Sequence, residues 1–310
     1  MSVSFNIKNK KKFLTYADVL SVEECFNISP NITQFSFDES GEDFDVEGFY
    51  SSKLSDYTCL LLGVDGVSGR GFELSYEPEI KSYSVRILTP STSFDWKIAL
   101  EYMKNLAHRM GSDIVSEEDE KFSPDKIEKF DYERDIKAGL NALRDHDMMY
   151  MQGVYRPVAI SSKMAEEILA GSDAVKEFDE LIKRTQYHDA FSANQAFYKK
   201  DDGAVLGSYA LTQELDTILP YEPMVENINL DIKNEDIEWV ISLVAIDGDS
   251  ENLEDYKVIG TIRYDDFISN LPKDKFEFLD ANYMVVKGLL REELNELISK
   301  CKNRLEAEGE

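Results

Sequence analysis

Phe72-Glu-Leu-Ser-Tyr-Glu77 and Tyr83-Ser-Val-Arg-Ile-Leu88 alternate apolar and polar residues with period two, separated by Pro78 and a Lys81-Ser82 pair. This pattern predicts a β-hairpin with one face of each strand buried. A helix signal follows at once. Thr92-Ser-Phe-Asp95 has the Thr-x-x-acid form of an N-terminal cap, in which the threonine oxygen takes an otherwise unpaired amide. Trp96, Leu100, Met103, Leu106, Ala107 and Met110 then recur every three or four residues, and Gly111 stands where a left-handed C-cap belongs.

Working outward, residues 3–7, 32–37 and 57–64 read as strands, and 113–115 as a short strand returning to the sheet. Ser123-Pro124-Asp125 opens a further helix, since serine can cap it and proline fits its first turn. Residues 148–160 return to strand character, and helices are predicted over 163–170 and 173–187. Segments 191–199 and 204–212 flank Lys200-Asp-Asp-Gly203, an Asp-Gly turn suited to a hairpin. Segments 238–246 and 256–263 form another hairpin, 283–286 a last strand, and Leu290, Leu294, Leu297, Ile298 and Cys301 the stripe of a terminal helix. Hairpins outnumber strand-helix-strand alternation. The expected class is therefore α+β, a mostly antiparallel sheet with helices on one face, divided into domains 1–145 and 146–310. The hairpin-plus-helix segments 72–110 and 238–271 could be two similar halves, but their residues barely match, so chance is the better reading.

The chain has 310 residues, 43% of them apolar, with 17 Phe and 16 Tyr, enough to build a sizeable core. No apolar run reaches the roughly 20 residues that span a bilayer. The start carries Lys8, Lys10, Lys11 and Lys12 followed only by Phe13-Leu14, which is no signal peptide. Cys25, Cys59 and Cys301 are odd in number and scattered, as expected of reduced cytoplasmic thiols. Against 34 Lys and Arg stand 61 Asp and Glu, a formal charge of -27 whose averaged field repels phosphate backbones and anionic membranes. The expected partners exclude nucleic acid and membrane, and a basic protein fits best.

Gly63-Val-Asp-Gly66-Val-Ser-Gly69-Arg-Gly71 could wrap an anion with successive amides, with Arg70 as a charged donor. A P-loop or dinucleotide fingerprint would lead into a helix, whereas Phe72 opens a strand, so a glycine-rich strand connection is favoured. Asp247-Gly-Asp249-Ser-Glu251-Asn252 begins like a calcium loop, but Asn252 replaces the required glycine and Val258 the bidentate glutamate. An acidic hairpin tip explains it better. His108, His146 and His188 are too far apart for a local metal motif, and His108 near a helix end suits the terminal carbonyls. His146-Asp147 and His188-Asp189 are adjacent pairs that do not face one another on a helix or strand. No nucleophile elbow is present, so no catalytic, cofactor or metal residues are assigned.

Gly69-Arg-Gly-Phe-Glu-Leu-Ser-Tyr76, Tyr83-Ser-Val-Arg-Ile-Leu-Thr-Pro-Ser-Thr92 and Asp95-Trp-Lys-Ile-Ala-Leu-Glu-Tyr102 resemble an uncharacterised domain-of-unknown-function family of Gram-positive bacteria. The resemblance implies a bacterial cytoplasmic protein and carries over no catalytic residues. Two functional expectations follow. One is a non-catalytic acidic interaction protein, immunity-protein-like, that docks a basic protein partner. The other is a small-molecule-binding protein or enzyme with a pocket between the two halves.

Overall fold

The computed structural model describes residues 1–37, 39, 44–200, 203–225 and 233–307, with side chains described to residue 301. The acidic stretch Asp38–Glu47 reads from the sequence as a solvated loop, and its residues 38 and 40–43, like the Asp201-Asp202 turn, lie outside the described residues. The chain is α+β and divides into two units, Met1–Tyr187 and His188–Glu310.

In the first unit, β1 (Ser2–Lys8), β2 (Thr33–Gln34), β3 (Leu60–Gly63), β4 (Phe72–Glu77), β5 (Ser82–Leu88), β6 (Ile114–Ser116) and β7 (Lys121–Phe122) form one antiparallel sheet. Its order is β2-β3-β4-β5-β1-β6-β7, so the predicted hairpin β4–β5 lies inside the sheet. The helices are α1 (Val22–Phe26), α2 (Val46–Ser51), α3 (Ser93–Met110) and α4 (Tyr132–Leu143), followed by the pair β8 (Met148–Met151) and β9 (Val158–Ser161), then α5 (Ser162–Ala170) and α6 (Ala174–Gln186). Strand β2 is shorter than the predicted 32–37 because the Gln34 side-chain oxygen takes the amides of Ser36 and Phe37, at 2.7 and 2.8 Å, which removes them from the ladder. Likewise Ser123-Pro124 opens only a 3-10 turn, Pro124–Lys129, and Asp131 is the residue that caps α4.

Helix α3 starts and stops as its sequence dictates, with a full capping box between Thr92 and Asp95 and Gly111 at φ 65°. Its buried face, including Trp96, Tyr102, Met103 and Leu106, packs with Phe5, Ile7, Phe72, Leu74, Val85 and Ile87 of the sheet. Each such large apolar side chain contributes about 1.5–3 kcal/mol by leaving water. The ring of Phe130 stacks on Trp96 with centroids 5.2 Å apart and meets Phe5 edge-on at the same distance, which ties the segment before α4 to this core.

The units divide after Tyr187, whereas the sequence reading placed the boundary at 145/146. Residues 148–187 belong with the first unit because α6 is held there: Asp179 accepts hydrogen bonds from the N–H and hydroxyl of Ser93, at 2.8 and 2.6 Å, and Ile182 lies against Gly69. The return to strand character at Met148 marks the β8–β9 pair within the first unit.

The second unit contains β10 (Phe191–Ser192), β11 (Ala196–Lys199), β12 (Val205–Thr212), β13 (Thr217–Pro220), β14 (Ile237–Ile246), β15 (Tyr256–Arg263), α7 (Tyr264–Asn270), β16 (Phe276–Phe278), β17 (Tyr283–Val286) and α8 (Arg291–Ala307). They form two four-stranded sheets, β11-β12-β14-β15 and β10-β13-β17-β16, each with one parallel pair among antiparallel ones. Those parallel pairs, β12 with β14 and β10 with β13, join segments whose local pattern announces only hairpins. The two units are not copies, since one has a single seven-stranded sheet and the other two four-stranded ones. Gly207 is required by close approach: a Cβ there would lie 2.5 Å from the Trp239 ring, which in turn stacks on Tyr209. Among the described residues no helix is long and apolar enough to cross a membrane.

Candidate functional site

The glycine cluster between β3 and β4 is a strand connection whose amides do wrap an anion, and the anion is the protein's own Asp95. Val64 C=O accepts from Val67 and Ser68 N–H, at 3.1 and 2.8 Å, which tightens the loop around Gly66 at φ 73°. The next three amides converge on the Asp95 carboxylate: Gly69 N–H at 3.1 Å, Arg70 N–H at 2.9 Å and Gly71 N–H at 2.9 Å. The Thr92 hydroxyl adds a bond of 2.7 Å. Asp95 is fully buried at the N-terminus of α3, where the helix dipole also favours a negative charge. Burial pushes its carboxyl above the usual range, while the Thr92 hydroxyl and the Arg70 and Gly71 amides pull it back.

Arg70 is turned into the same region and spends its donors on backbone carbonyls, Nε on Gln152 at 2.8 Å and Nη1 on Pro90 at 2.5 Å. Burial lowers its pKa to about 10, against the upward pull of Asp95 and Glu73, so it stays a cation at neutral pH. The loop therefore fastens three distant segments to one another. Gln186 of α6 does similar work, accepting from the Tyr155 amide at 2.9 Å and donating to Arg156 C=O at 2.9 Å.

The histidines take up separate positions. His108 is exposed on α3 and its Nε2 lies 3.0 Å from Asp125, so it engages a carboxylate and not the helix-end carbonyls expected of it. His146 is exposed in the turn after α4, and His188 opens the second unit. Among the described residues no group of three or more His, Cys, Asp or Glu is placed to hold a metal ion. The acidic tip 247–255 is closed by its own carboxylates, Asp255 accepting from Asp249 N–H at 2.8 Å and Asp249 from Glu251 N–H at 3.0 Å.

An acidic cleft of about 540 Å³ opens beside β1, β6, β7 and α4. Val3, Phe122 and Phe130 supply apolar lining, and Glu117, Glu118, Glu120, Asp131 and Asp135 line it together with Lys129 and Arg134. The turn that carries the glutamates is fixed by Glu120 N–H on the Ser116 hydroxyl at 3.2 Å and by Asp119 in the left-handed region at φ 62°. Asp135 receives the Thr89 hydroxyl at 3.0 Å, and burial raises its pKa while Thr89 and Trp96 lower it and Glu117 adds to the rise. A second cleft of about 520 Å³ is lined by Gln34, Phe35, Phe37, Asp65 and Tyr155. There the Tyr155 hydroxyl donates to Asp65 at 2.5 Å, and burial with that carboxylate pushes the phenol up to about 12.

The raised carboxyls set a pH dependence. Asp95, Asp135 and Asp179 all lie above their ordinary value of 3.8, with burial the first cause for each. The folded state then binds their protons more readily than the unfolded chain, so these groups favour folding increasingly as pH falls toward 3.8, and add nothing further below it. Asp135→Asn removes one of them while keeping an acceptor for Thr89. Denaturant unfolding from neutral to about pH 4 is expected to show a shallower rise in stability for the variant. Equal slopes would contradict the assignment.

Fold and site define an α+β protein whose first unit is built around a buried aspartate in a nest of loop amides and carries an acidic cleft. The chain belongs to the family described as Domain of unknown function (DUF4299), whose model matches residues 2–297. No curated protein and no solved structure matches it.

Proposed function

We propose that the protein is a non-catalytic interaction protein that docks a basic protein partner through its acidic surface, in the manner of an immunity protein. One observation carries this reading. The cleft beside β6, β7 and α4 combines five carboxylates and two cations with an apolar floor, in a chain of formal charge -27. Carboxylates around an apolar patch suit a cationic segment with hydrophobic side chains: the charges speed encounter and fix register, and the floor supplies desolvated contact. The Gly69, Arg70 and Gly71 amides are already taken by Asp95, which argues against a phosphate ligand at the glycine loop. The cytoplasm of a Gram-positive bacterium is the proposed setting, supported by three free thiols, of which Cys25 is buried and held near a pKa of about 12.

The test reverses the charge of the cleft rim. Glu117, Glu118 and Glu120 are exposed, so replacing all three by lysine leaves the core intact. Wild-type protein is expected to retain a basic partner from a bacterial lysate at low salt, to lose most of it at raised salt, and to bind at least about tenfold better than the triple variant. Equal capture by both proteins, or capture of nothing at either salt, would refute the reading.

A further inference from the structure

We propose that hairpin 10–17 is a lipid-docking tip that seats the first unit on an anionic bilayer surface. The hairpin is closed by Ala17 N–H on Lys10 C=O at 2.8 Å, Lys12 N–H on Thr15 C=O at 2.7 Å and a bridge between Lys11 and Tyr16. Its base is anchored by Asn9, which is 3% exposed, donates to Ala17 C=O at 2.7 Å and accepts from Lys10 N–H at 2.7 Å. The turn therefore has a set shape. At its tip Phe13 is 96% exposed and Leu14 86%, and Phe13 is the most exposed large apolar side chain among the described residues.

Cations flank the tip, with Lys8, Lys10, Lys11 and Lys12 all exposed and no acid between residues 8 and 17. The neighbouring β4–β5 turn is joined to the base through Asn9 N–H on Lys81 C=O at 2.9 Å, and it adds exposed Ile80 and Lys81 beside Glu77 and Glu79. Adjacent Phe and Leu flanked by lysines, with exposed Asp18 just past the base, match the layered chemistry of a bilayer: acyl chains for the apolar pair, lipid phosphates for the ammonium groups, and the interfacial layer for Tyr16. A two-residue point offers too little area for a stable protein interface, which needs roughly 800 Å² per partner, whereas a fluid bilayer closes around a point. The overall negative charge opposes an anionic surface only as an average. Screening over about 8 Å at physiological salt lets the tip present its own lysines.

The experiment sediments the full chain with vesicles of phosphatidylcholine alone or with about a third phosphatidylserine. Binding to the anionic vesicles only, weakened by salt, is expected. Phe13→Ser with Leu14→Ser should lower the partition coefficient at least about tenfold, and Lys10→Glu, Lys11→Glu and Lys12→Glu together about a hundredfold, with unchanged melting temperatures because all five side chains are exposed. No binding of wild type to anionic vesicles, or equal binding by both variants, would overturn the proposal. So would self-association in ultracentrifugation that Phe13→Ser abolishes in the absence of lipid, since the tip would then be a contact between copies. None of these outcomes depends on the acidic cleft, whose charge-reversal test reads a different surface.

Discussion

Asp95→Ala is expected to destabilise the first unit by about 3–5 kcal/mol, the largest effect of any single substitution considered. The carboxylate accepts from the amides of Gly69, Arg70 and Gly71 and from the Thr92 hydroxyl, and it is fully buried. Alanine leaves those donors in a dry interior with no acceptor, removes the acidic half of the α3 capping box, and deprives the buried Arg70 of a nearby negative charge. Asp95→Asn keeps the shape and one acceptor oxygen, so a smaller loss of about 2–3 kcal/mol is expected. The measurement is convenient because the chain has two tryptophans, Trp96 in the first unit and Trp239 in the second. In a Trp239→Phe background, fluorescence-detected denaturation reports the first unit alone. A loss below about 1 kcal/mol for Asp95→Ala would mean that the nest does not hold the loop.

Gly71→Ala is expected to cost about 2–4 kcal/mol, from two sources that a control separates. Gly71 sits at φ 65°, and a Cβ there would meet the backbone oxygen of Leu62 at 2.5 Å. That oxygen belongs to β3, which cannot yield without disturbing its pairing with β4. Gly66 has a similar φ of 73° with nothing within 4 Å of an added Cβ. Gly66→Ala should therefore show the conformational cost alone, about 1 kcal/mol. If the two variants lose the same stability, close approach to β3 is not what requires glycine at Gly71.

Much of the fold was legible because its signals are local. Thr92 and Asp95 are three residues apart, and their reciprocal bonds form whatever else the chain does. The β4–β5 and β14–β15 hairpins follow from alternation interrupted by turn residues. The extent of β2 was not legible, since its shortening depends on a single Gln34 side chain competing for two amides. Strand β13 was missed as well: Thr217, Ile218, Leu219 and Pro220 are all buried and show no alternation. The acidic cleft shows the same limit. Glu117, Glu118 and Glu120 line it with Val3, Phe122 and Phe130, and nothing in the acid run itself says that Val3 and Phe130 share that cleft.

By itself the sequence determined what depends on neighbours along the chain: the hairpins, the capped helix α3, the α+β class and a strongly negative charge. The tertiary structure alone decided that the glycine-loop amides close on Asp95, 24–26 residues away, that Asp179 holds α6 to α3, and that Phe13 and Leu14 stand in solvent. The physical reason is that a buried donor accepts whichever partner the folded chain brings within hydrogen-bond reach, and exposure is a property of packing. Neither is encoded by residue type at a position.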